Sequence, residues 1–266
     1  PALKAADIGC AMGITGTDVA KGSADMILTD DNFSTIVDAV KEGRGIYDNI
    51  RKCVKYLLSS NIGEVLTIFI ASLIALCAPN LEIGVPLLAI HLLWVNLITD
   101  SLPAFALGTE EPEPDVMDQK PRPKDESFFA NGMGSSIVLE GMMIGLLTLS
   151  AYIIGHFASP GTYLGQTMAF VVLSFTELVH VFNVRDNKKS IFSSNPFNNG
   201  MLLLAIGASA LLMFVVLLVP QLQSIFSITN LFAYPEKLLE VVGLVFAPLV
   251  IVELFKLLKI NTIKEN

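Results

Sequence analysis

Apolar residues fill six long stretches of this chain, at about 57–78, 86–107, 134–155, 165–184, 200–219 and 238–258. Each could cross a bilayer as a helix, which takes about 20 residues. The intervals carry chain breakers: Pro79-Asn80, the proline-rich EEPEPDVMDQKPRP, Ser159-Pro160-Gly161, Asn195-Pro196, Pro220 and Pro235. The first 56 residues follow another pattern. DIGCAMG and ADMILTD read as short buried strands joined by a helical crossover at 17–21, the edge of an α/β layer. From Ser34 the periodicity turns helical through Ile36, Val37, Val40, Ile46, Ile50, Val54, Leu57 and Leu58. This predicts a stalk helix running into the first span, weakened in its middle by Gly43 and Gly45.

The predicted fold is therefore a six-span α-helical polytopic membrane bundle preceded by part of an α/β domain. Residues 1–40 form the end of the cytosolic domain, 41–107 the stalk and first two spans, 108–130 a cytosolic loop, and 131–266 four further spans. Composition agrees: of 266 residues 53% are hydrophobic and only 16% charged, too apolar for a soluble domain of this length. A net charge of −8 argues against a nucleic-acid partner. Cys10, Cys53 and Cys77 have no metal-like spacing and read as free thiols. The chain starts at Pro1, so functional parts are expected upstream.

Basic residues set the orientation. Arg44, Arg51, Lys52 and Lys55 precede the first span; Lys120, Arg122 and Lys124 follow the second; Arg185, Lys188 and Lys189 follow the fourth; Lys256, Lys259 and Lys264 mark the sixth and the chain end. The opposite loops hold only Lys237. Both ends are thus expected in the cytosol.

Polar residues inside the spans carry the chemistry. Asn61 and Glu64 share a helix face, as do Asn96, Thr99, Asp100 and Pro103 at i, i+3, i+4 and i+7. Thr176, Glu177 and His180 cluster in the fourth span. Pro103 has no N–H for the carbonyl of Thr99, and a freed carbonyl at membrane depth must line a cavity or meet a partner. Opened helix beside carboxylates is how membrane proteins hold small cations. Asn61, Glu64, Thr99, Asp100 and Glu177 offer about five to seven oxygens, which suits Ca²⁺ better than Mg²⁺ or a soft metal. Glu140 reads as interhelical glue, Glu253 as a solvated end beside Lys256, and His91 and His180 as hydrogen-bonded core residues, His180 being placed to modulate Glu177.

PALKAADIGCAMGITGTDVAKGSADMILTDDNFSTI, YLLSSNIGEV and LLWVNLITDSLPA closely resemble P-type cation-transporting ATPases, above all calcium pumps of the sarco/endoplasmic-reticulum type and their bacterial relatives. The resemblance implies that residues 1–40 end a haloacid-dehalogenase-like (HAD-like) phosphorylation domain and that the spans are the fifth to tenth of ten. It implies one calcium site from Asn61, Glu64, Thr99, Asp100 and Glu177. Asn96 and Asp100 serve a second site, completed by main-chain carbonyls and a Glu upstream. ATP and Mg²⁺ would be bound by upstream actuator, nucleotide and phosphorylation domains, so this segment alone is expected to form no phosphoenzyme. Emptied carboxylates take up protons, making H⁺ the natural counter-ion.

Asn96 stands where sodium-potassium pumps carry Asp, which favours calcium. Glu64 and Glu177 together imply two ions per cycle. A bacterial plasma membrane is the expected location, with a eukaryotic reticulum as the alternative. The rivals are a P-type pump for Na⁺/K⁺ or Mn²⁺, a cation transporter or channel not driven by ATP, and a truncated, non-catalytic product.

Overall fold

The computed structural model describes residues 1–123, 125–185 and 197–257. Lys124, Lys188, Lys189, Lys259, Lys264 and the Asn195-Pro196 break lie outside the described residues. The chain divides into two compact units, 1–48 with 111–122, and 49–110 with 123–266.

The first unit contains helix α1 (Ala2–Ala5), strand β1 (Cys10–Met12), helix α2 (Asp18–Lys21) and strand β2 (Met26–Leu28). The strands pair in parallel, Cys10 opposite Met26 and Met12 opposite Leu28. A parallel pair needs a crossover, and α2 supplies it, capped by the Thr17 hydroxyl on the amide of Ala20. Asp31 ties the strand ends together, accepting from the amides of Ile14 and Thr15 and from the Thr15 hydroxyl. Those donors, the Ile14 amide first, hold its carboxyl down at about 2. Asp30 accepts from Thr35 Oγ1 and Asn32 N, which also lowers its pKa.

Helix α3 runs unbroken from Thr35 to Cys77. Gly43 and Gly45 do not interrupt it. At Gly45 the missing side chain serves contact: a Cβ there would lie 2.6 Å from Cγ of Pro112. The same loop is fixed by Arg44, which donates to the carbonyls of Val116 (2.8 Å) and Gln119 (3.0 Å), and by Arg122 over the ring of Tyr47. The proline-rich segment is thus packed on the base of α3, with Val116 buried.

In the second unit α3 is followed by a second span in three pieces: α4 (Ala89–Trp94), a π-helical turn (Val95–Asp100) and α5 (Ser101–Gly108). Then come α6 (Met133–Ala158), α7 (Leu164–Arg185), α8 (Gly200–Leu218), the short α9 (Pro220–Phe226) and α10 (Pro235–Leu257). Among the described residues six helical segments are long and apolar enough to cross a membrane. Pro220 and Pro235, expected as breakers, each open a helix at its first position, where a missing N–H costs nothing.

Helix α7 is the hub. Nearly all its residues are buried, and it packs along α6 and α10. Glycines permit the closest approaches. A Cβ on Gly155 would meet Cα of Gly165 at 2.8 Å, and one on Gly145 would meet the carbonyl of Gly63 at 2.9 Å. Gly141 and Gly145 form a small-xxx-small face on α6 against α3, and Thr67 Oγ1 donates across it to Gly145 O (3.2 Å). This places the middle of α3 against α6, and α6 against α7.

Candidate cation site

The second span does not continue as regular α-helix through Asn96 and Asp100. Pro103 removes the amide that would bond one turn back, and the backbone widens into the π-helical turn at Val95–Asp100. The exposed carbonyls are met by side chains. Tyr56, fully buried on α3, donates its hydroxyl to Thr99 O (3.2 Å). Ser209 on α8 donates to Ile98 O (3.0 Å), and Ser101 to Asn96 O (2.7 Å). The widened turn is therefore a built feature, held from two neighbouring helices.

Widening presents Asp100 to α3 and α7. Glu64, Asp100 and Glu177 each offer one oxygen such that all three oxygens lie within 4.8 Å of one another. The residues are 5%, 1% and 0% exposed. The carboxylate oxygens of Asp100 and Glu177 are buried and accept no hydrogen bond of normal geometry from any described residue. Buried carboxylates without donors need neutralising, by a cation or by protons. Thr176 Oγ1 is also buried without a hydrogen-bond partner among the described residues, and the buried Ser60 hydroxyl lies against the carboxyls of Asp100 and Glu177. This all-oxygen donor set suits a hard cation such as Ca²⁺.

The remaining expected residues are placed differently. Asn96 is half-buried and donates Nδ2 to both oxygens of Glu64, at 2.8 and 2.9 Å, and to Leu92 O. Thr99 is buried, with its hydroxyl on Val95 O. Asn61 is exposed, and its amide donates back to Leu57 O (2.7 Å). In this arrangement Asn61 is not drawn into the carboxylate group.

His91 is a core histidine, bonded at Nε2 to Phe226 O (2.7 Å) and stacked on Phe170, in a cluster with the ring of Phe226. Glu253 does pair with Lys256 (3.0 Å) but is only 5% exposed, so it is a buried ion pair and not a solvated end. Periodicity along the chain does not mark Tyr56, Ser101 and Ser209 as donors to these carbonyls. Pro103 signalled that a carbonyl needed a donor but not which donor would reach it. Nor does the sequence join Glu140 to Lys55 (2.7 Å) and His180 (3.3 Å), three residues far apart in the chain.

Residues 84–258 match the family described as cation transporting ATPase, C-terminus. The chain is 46% identical to calcium-transporting ATPase 1 of Bacillus cereus, over 98% of this chain and 30% of that protein. It is 50% identical to the calcium-transporting ATPase of Bacillus subtilis, over 85% of this chain and 25% of that one. It is also 38% identical to the endoplasmic reticulum calcium ATPase srcA of Aspergillus fumigatus, over 87% and 26%. The chain thus spans less than a third of the length of these relatives. Six apolar helices and this match together make it a multi-pass integral membrane protein that belongs to the cation-transporting ATPase family, aligned with that family's C-terminal region.

Proposed function

We infer that this chain is the membrane half of an ATP-driven calcium pump that moves Ca²⁺ out of the cytosol in exchange for protons. The observation that carries this is the convergence of Glu64, Asp100 and Glu177, with the oxygens of Asp100 and Glu177 buried and accepting no hydrogen bond of normal geometry among the described residues. The relatives' names supply the ion and the energy source. ATP and Mg²⁺ are held in this reading by upstream actuator, nucleotide and phosphorylation domains, and residues 1–40 are the end of the HAD-like phosphorylation domain. Four further spans precede the six.

Three carboxylates this close cannot all stay charged in a dry site. Ca²⁺ neutralises them on the cytosolic-facing side of the cycle, and protons replace it when the site faces outward. Asn96 now holds Glu64 by its N–H groups. On cation arrival the amide turns its oxygen inward, serving a second ion together with Asp100. Phosphorylation upstream moves the cytosolic part, and α3, continuous from Thr35 to Cys77, carries that motion to Glu64. Asn61 and Thr99 complete the ligands by side-chain rotation. The bacterial plasma membrane is the proposed location.

The test is calcium uptake by inverted membrane vesicles bearing the full-length protein. Uptake is expected to require ATP and to vanish in Asp100→Asn. Uptake that follows an ion gradient without ATP would identify a secondary transporter instead, and ATP-dependent uptake of Mn²⁺ in preference to Ca²⁺ would reassign the cargo.

A further inference from the structure

Inside the second unit lies a second group of buried ionisable side chains that the carboxylate site does not use. Lys55 on α3 is 4% exposed, and its ammonium lies 2.7 Å from Oε1 of Glu140 on α6. Oε2 of Glu140 is 3.3 Å from Nε2 of the fully buried His180 on α7. Ser136 donates to Glu140 Oε1 (2.7 Å), and Ser59 Oγ lies 3.3 Å from His180 Nε2. One carboxylate thus joins three spans.

Its partners flank the cation site. Lys55 directly precedes Tyr56, whose hydroxyl holds the widened backbone at Thr99. His180 is one helical turn beyond Glu177, and its ring stacks with Tyr56 at 6.5 Å between centroids. A lysine buried beside a cation site opposes cation binding unless its charge is matched. Glu140 supplies the matching charge.

We propose that Glu140 sets the affinity of the cation site: its carboxylate, held between Lys55 of α3 and His180 of α7, offsets the buried ammonium of Lys55. The proposal rests on the calcium-pump reading above. Glu140→Gln removes this negative charge from beside the ammonium of Lys55, and half-saturation for Ca²⁺ should move to higher concentration by on the order of tenfold. Lys55→Met should move it the other way, because it removes a positive charge near the site while Glu140 keeps His180 and Ser136 as partners. Replacing both, Lys55→Met with Glu140→Met, should return it to within about twofold of the unmutated protein.

The measurement is calcium-activated ATP hydrolysis by the full-length protein in membranes, reading half-saturation separately from maximal rate. A merely structural Glu140 would lower the maximal rate per milligram and leave half-saturation in place. An unshifted Glu140→Gln, or a double variant as impaired as the single one, overturns the proposal. If Glu140→Gln does not accumulate, the direction of the Lys55→Met shift decides, and no shift or a weakening overturns it. An unmutated protein without calcium-activated hydrolysis would overturn the pump reading itself and the proposal with it.

Discussion

At the scale of single residues, the consequential ones are hydrogen-bond donors to an opened backbone. Tyr56→Phe keeps the ring against His180 but removes the hydroxyl from Thr99 O. A buried carbonyl left without its donor costs about 1–3 kcal/mol. Thermal unfolding of the solubilised protein should show that loss, and an unchanged midpoint would mean the carbonyl finds another donor. Asp31 makes a pH-dependent contribution in the first unit. Its carboxyl titrates near 2 when folded against an ordinary 3.8, so its bonds to Ile14 and Thr15 stabilise fully above the ordinary value. That contribution is lost as pH falls through about 2. Amide exchange at Ile14 and Thr15, corrected for its intrinsic rate, should accelerate over that window. Asp31→Asn should remove the pH dependence.

At the scale of elements, the spans were legible because a long apolar run has few other ways to fold. The expected 165–184 is observed as Leu164–Arg185, and 200–219 as Gly200–Leu218. The parallel strands and their crossover were equally legible from two short apolar runs flanking a capped turn. At the site, Pro103 and the polar stripe revealed the opened helix and its carboxylate. They could not reveal the π-helical form of the turn, which depends on hydroxyls from α3 and α8, nor that Asn61 points away. Such pairings join residues distant in sequence, and periodicity within one helix carries no information about them. The helix spacing was illegible for the same reason, since it rests on glycines meeting across α6 and α7. Gly155→Ala would push its Cβ onto backbone atoms of Leu164 and Gly165, and overpacking of this kind costs about 1–3 kcal/mol. Gly43→Ala, with nothing within 4 Å, should instead stabilise α3 by about 0.5–1 kcal/mol. Paired melting curves check both signs.

At the scale of the whole molecule, the six spans give the carboxylates two things that water would deny them: a dry environment and one another. Glu64 comes from α3, Asp100 from the widened second span and Glu177 from the central helix α7, so no single helix makes the site. Movement of α3 would therefore alter the carboxylate group directly, which is what the proposed pump cycle needs. In the proposed pump these three carboxylates bind the transported ion. Equilibrium binding of radioactive calcium to membranes bearing the full-length protein tests it most directly. Saturable binding of about two ions per protein is expected, abolished in Asp100→Asn and reduced in Glu177→Gln. Saturable binding that neither substitution changes would contradict it.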